Sequence, residues 1–136
     1  MKNIILTLVI IFFSACNDGE VFVQDKEILN TKIECMRLVV FPPNDMIEST
    51  LKKLYRFKKD CNYSMIISYK SGIVCNSNQN SDKKVKGLPK SYLRMEIKKG
   101  FKLSYTYYKD LTDNLQADDI EDGFKTIESD LDLRGI

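Results

Sequence analysis

The chain has 136 residues, 29% of them charged and 43% hydrophobic, with a formal net charge of +2 and neither histidine nor tryptophan. That length suits a single domain. Without histidine no Ser-His-Asp or Cys-His nucleophile can be assembled, and the commonest general base and metal ligand are missing. A protein that is not an enzyme and carries no cofactor is therefore expected.

The chain opens with Lys2 and Asn3, runs apolar from Ile4 to Phe13, and then reads Ser14, Ala15, Cys16. A positive start, an apolar run and a small-residue cleavage neighbourhood are the layout of a secretory signal peptide. The run is too short for a spanning helix, which needs about 20 residues. The stretch "FSAC" (13–16) resembles the lipobox of bacterial lipoproteins, with Phe13 where leucine is more usual. The resemblance implies cleavage before Cys16, a diacylglycerol on its sulfur and an acyl chain on its new amino group. Several acyl chains make attachment effectively permanent, at about 0.8 kcal/mol per buried CH₂. In enteric lipoproteins an aspartate directly after the cysteine favours the inner membrane. Here Asn17 follows and the aspartate is Asp18, which favours the outer membrane. The expected organisation is a signal peptide over 1–15, a lipidated N-terminus and tether over 16–31, and an α+β domain over 32–136.

Within the tether, "VFV" (21–23) can add a short edge strand. "IECMRLVVF" (33–41) reads as a buried strand rich in β-branched residues, stopped by Pro42 and Pro43. A helix is expected over Asp45–Lys59, with Asp45 and Glu48 at capping-box spacing and Ile47, Leu51, Leu54 and the stem of Lys58 on one face. Lys52, Lys53, Arg56, Lys58 and Lys59 crowd its C-terminal half, where the dipole favours cations. They read mainly as a solvated face, with contact to an anionic surface as the functional alternative. "DCNYS" (60–64) resembles the extended acceptor sequon of bacterial N-glycosylation, with Asn62 as acceptor.

Two hairpins follow, each with glycine in the left-handed place of a three-residue loop. Lys70-Ser71-Gly72 would set Tyr69 opposite Ile73 and Ile67 opposite Cys75. Lys98-Lys99-Gly100 would set Ile97 opposite Phe101, Met95 opposite Leu103, Leu93 opposite Tyr105, and Glu96 opposite Lys102. Between them, residues 76–91 form a long basic loop whose Lys83, Lys84, Lys86 and Lys90 are a candidate grip for an anionic partner. An extracytoplasmic destination and the lack of a recognition motif argue against nucleic acid.

Residues 16–109 hold 18 Lys/Arg against 10 Asp/Glu, whereas residues 110–136 hold 2 against 9. A basic body thus carries an acidic tail, and docking of one on the other offsets their charges. The tail reads as a helix with Ile120, Phe124, Ile127 and Leu131 at helical spacing and Asp118 and Glu121 at capping-box distance. Gly123 weakens it by about 1 kcal/mol relative to alanine. Presentation of a detachable helix to a partner is the sharper alternative. The carboxylates Asp118, Asp119, Glu121 and Asp122 read as helix-start residues rather than a glycosidase pair, and "DLTDNLQADD" lacks the EF-hand pattern.

Three cysteines remain after Cys16, and an oxidising compartment favours one disulfide. The strand 33–41 travels about 25 Å and the helix 45–59 returns about 22 Å, which brings Cys61 beside Cys35. Cys75 would lie about 20 Å along the strand from Cys61 and stay a buried thiol. The expected fold is α+β, one mixed or antiparallel sheet of about five strands with two helices packed on it, in the order β-α-β-β-β-β-α. The expected role is a lipid-anchored envelope protein that faces the periplasm and binds a protein partner, as an assembly accessory or structural factor. The alternative is a periplasmic inhibitor or immunity protein that neutralises a toxin or hydrolase.

Overall fold

The computed structural model describes residues 19–72 and 91–134. Five strands form one mixed sheet: β1 (Glu20–Val23), β3 (Met36–Phe41), β4 (Tyr63–Lys70), β5 (Ser91–Lys99) and β6 (Lys102–Leu111). Apolar and polar residues alternate most clearly in β5. Their spatial order is β1-β6-β5-β4-β3, with β3 parallel to β4 and the other neighbours antiparallel. Two helices, α1 (Asp45–Leu54) and α2 (Ala117–Asp130), pack on each other and on one face of the sheet. Beside them β2 (Lys32–Ile33) pairs in parallel with β7 (Asp132–Leu133). The fold is α+β, a five-stranded mixed sheet under two helices. No helix among the described residues is long and apolar enough to cross a membrane.

The core follows the period of two. Met65 and Ile67 of β4, Leu93, Met95 and Ile97 of β5, and Tyr105 and Tyr107 of β6 point into the helices. Ile47 and Leu51 from α1 and Ile120, Phe124 and Ile127 from α2 meet them, each with almost no exposed surface. The acidic helix is therefore docked. Lys109 Nζ lies 3.0 Å from Asp119 Oδ1, so basic body and acidic tail touch directly. Burial works against the Lys109 ammonium, but the Asp119 carboxylate outweighs it and raises the lysine's pKa.

The edge strand expected at 21–23 is present, since β1 joins the sheet edge, and a 3-10 turn over Lys26–Asn30 buries Ile28, so the described fold starts ahead of residue 32. Several other local expectations are corrected. α1 stops at Leu54, not Lys59, because Tyr55 turns extended and the chain runs back along the sheet, where Lys58 N–H donates to Met36 C=O at 2.9 Å. Lys58 is thus exposed beyond the helix rather than lining its apolar face. The cap of α1 is Asn44, whose Oδ1 accepts from Ile47 N–H at 3.1 Å, not Asp45. α2 begins two residues earlier than the Asp118 and Glu121 spacing suggests. Gln116 caps it, and Asp119 Oδ2 accepts from the Gln116 N–H at 2.9 Å.

Ile67 has Val40 on one side and Met95 on the other, so pairing opposite Cys75 is excluded at that position. Ile73 and Cys75 themselves lie outside the described residues. The β5–β6 hairpin keeps its glycine, with Gly100 at φ +61, but closes with Lys99 opposite Lys102. Glycine alone has positive φ there, as the first central residue of a two-residue turn of type II′ requires. A bulge between Ile97 and Lys98 then sets Ile97 opposite Tyr105 and Met95 opposite Tyr107. The combined slip of four residues along β6 is even, so Tyr105 and Tyr107 still face inward. Phe101 is thrown out to the fully exposed tip, and Lys102 pairs with Asp25 at 2.8 Å instead of with Glu96. That contact lowers the Asp25 pKa and raises that of Lys102.

Burial pushes the Tyr105 phenol far above its ordinary pKa, and its 2.6 Å hydrogen bond to Asp130 Oδ2 adds to the shift. A phenol raised in the folded state stabilises the fold fully below the unfolded pKa of about 10 and loses that contribution as pH climbs further. Urea midpoints should therefore be flat with respect to this group up to about pH 9.5 and decline above it. Tyr105→Phe should cost about 1 kcal/mol at pH 7 and make the alkaline decline shallower, as denaturant titrations at several pH values would read.

Candidate functional site

The face of the sheet away from the helices carries no covering element among the described residues. The register lays Phe22, Thr106, Glu96, Ile66 and Val39 across it in one row, and Glu20, Tyr108, Arg94, Ser68 and Phe41 in the next. Phe41 is 72% exposed, Phe22 49% and Val39 41%. These values are high for apolar residues on ordered strands, and they converge on one side of one sheet.

The polar groups between them are held in place. Tyr92 and Tyr108 stack with centroids 5.6 Å apart. Tyr108 Oη donates to Asp110 Oδ1 at 2.7 Å, and that bond, with some burial, pushes the phenol's pKa up to about 12. Glu96 sits between Arg94 Nε at 3.4 Å and Lys98 Nζ at 3.9 Å, and Gln24 Nε2 donates to Thr106 Oγ1 at 3.0 Å. The surface thus carries aromatic and apolar side chains with fixed polar groups between them.

Two depressions flank β3. One, of about 560 Å³, lies where β3 and β4 end and β5 begins, and includes Phe41, Asn44, Lys70, Tyr92 and Arg94. The other, of about 440 Å³, lies along the outer edge of β3 and is lined by Arg37, Leu38, Val39, Lys52, Phe57, Lys58 and Lys59. Lys52 contacts Glu48 at 3.2 Å. Among the described residues, Arg37, Lys58 and Lys59 join no ion pair.

Cys35 and Cys61 are bonded, with Cα atoms 5.8 Å apart, next to the paired starts of β3 and β4 at Met36 and Tyr63. Asn62 is exposed and its carbonyl accepts from Gly100 N–H at 2.9 Å. Asp118, Asp119, Glu121 and Asp122 share the first turns of α2, where Asp119 serves the cap and Lys109. Cys16 and the loop lysines Lys83, Lys84, Lys86 and Lys90 lie outside the described residues. Among the residues missed from sequence, Arg37, Val39 and Phe41 were hidden because "RLVVF" reads as a strand buried on both sides. The alternation Arg37-Val39-Phe41 against Met36-Leu38-Val40 was the available signal, since a charged residue on one side of a strand marks the face toward water.

The class defined by the fold is an α+β domain whose sheet is covered on one face. Within that class, no protein-family model matches the chain, and neither a curated protein nor a solved structure is significantly similar to it.

Proposed function

We propose that this is a non-catalytic, lipid-anchored cell-envelope protein that binds a protein partner through the helix-free face of its sheet, in an assembly or structural role. The observation that carries the reading is the exposure of Val39 and Phe41 at the β3 side of this face and of Phe22 at its β1 side, with the Tyr92–Tyr108 stack and Arg94 between them. Aromatic residues and arginine are enriched at protein interfaces, and this face presents both in strand positions open to solvent. Anchoring and delivery to the envelope rest on the lipobox resemblance that ends at Cys16.

Two measurements test the two halves. Metabolic labelling with an alkynyl fatty acid should mark the wild-type protein and not Cys16→Ser; equal labelling of both defeats the anchor. A photo-crosslinking amino acid at position 41 should give a discrete adduct in intact cells. The same group at Lys125, exposed on α2, should not. Adducts from both positions alike, or from neither, defeat binding through this face.

A further inference from the structure

We infer that the outer edge of β3 is a docking strand for an extended acidic segment of the protein partner. The inference rests on the partner-binding reading above and names the chemistry of one contact within it.

β3 is the last strand of the sheet on its side, so one row of its backbone groups has no partner strand among the described residues. Lys58 N–H donates to Met36 C=O, which fixes the outward side of the row. Because backbone groups alternate along a strand, the N–H and C=O of Leu38 and Val40 face the same way as those of Met36. These are the groups that an added strand would use, with side-chain pockets setting its sequence.

The surroundings select the charge of that strand. Arg37, Lys58 and Lys59 line the edge cleft unpaired, with Lys52 close by, while Val39 and Phe57 supply its apolar floor. Carboxylates on an incoming extended strand would meet Arg37, Lys58 and Lys59, and β-branched residues beside them would lie against Leu38, Val39 and Phe57. A second copy of this chain is the poor occupant. Pairing edge to edge would bring like charges together, the arrangement by which edge lysines suppress self-association. The same lysines attract an acidic strand.

The probe is a synthetic dodecapeptide of glutamate alternating with valine and threonine, titrated into isotope-labelled full-length protein. Amide resonances of Leu38 and Val40 should move most and exchange with solvent more slowly when peptide is bound. Replacing glutamate by lysine in the peptide should weaken binding at least tenfold, and so should N-methylation of alternate peptide bonds, which removes donors without altering charge. The exposed pair Arg37→Glu and Lys58→Glu should weaken it similarly. Undiminished binding of the N-methylated peptide reduces the effect to diffuse charge attraction and overturns the inference, as do shifts centred on another part of the molecule. A peptide that fails to bind while position 41 still gives its adduct removes the docking edge and leaves the partner-binding reading standing. Loss of the adduct alone removes that reading instead.

Discussion

Removing the Cys35–Cys61 bond, by Cys35→Ser with Cys61→Ser, should lower the stability of the fold by about 3.5 kcal/mol, the chain-entropy value for a ring of this size. The bonded residues are 26 apart and enclose β3 and α1. β3 pairs in parallel with β4, so the two strands meet only after a long crossover, and the bond shortens that search in the unfolded chain. β3 also has only one strand neighbour, whereas β4, β5 and β6 have two. The loss should therefore be uneven. In urea titrations the double variant should unfold at a lower midpoint, and hydrogen exchange should quicken first in Arg37–Phe41. Uniform quickening across the sheet would show that the bond steadies the whole fold rather than its edge.

Gly123→Ala should destabilise by about 1 kcal/mol, against the sign that helix propensity predicts. In an exposed helix the change would gain about 1 kcal/mol. Here α2 presses its glycine onto the sheet. A Cβ at position 123 would lie 2.8 Å from Tyr107 Cε1 and 2.9 Å from Met95 Sδ. The methionine sulfur can swing aside, but the tyrosine ring is buried and also lies against Gly19, where a Cβ would meet its Cζ at 2.5 Å. The overpacking cost, about 1–3 kcal/mol for an inserted methyl, exceeds the propensity gain. Thermal melts of Gly123→Ala and of the exposed helix control Glu128→Ala would separate the effects. Equal or higher stability of Gly123→Ala would show that the ring moves freely.

What could be read beforehand depended on how local the signal was. The buried stripe Ile120, Phe124, Ile127, Leu131 was legible because helical spacing is set by near neighbours. The inward set Leu93, Met95, Ile97 was legible too, since the pleat fixes it whatever the partner. The partner's register was not, because a two-residue turn and a bulge moved Tyr105 to where Phe101 was expected. The cysteine pairing emerged from strand and helix lengths even though α1 ends five residues early. The extended run Tyr55–Lys58 covers the missing distance. The open edge of β3 was illegible because no local feature says whether a strand has one neighbour or two. That depends on the order of the whole sheet.

The position of β1 sets a geometry for the anchored reading. Glu20 opens β1 at the side of the sheet opposite β3, four residues after Cys16. At about 3.5 Å per residue those four steps reach at most ~14 Å. Four strand spacings of about 4.8 Å carry β3 some ~19 Å farther across the sheet. An acylated Cys16 on so short a leash would moor the β1 side against the bilayer and let the domain swivel little. The β3 edge would be the outboard one, offered to whatever approaches from the aqueous side. A flexible insert before Glu20 should then leave the edge's chemistry intact while abolishing its aim.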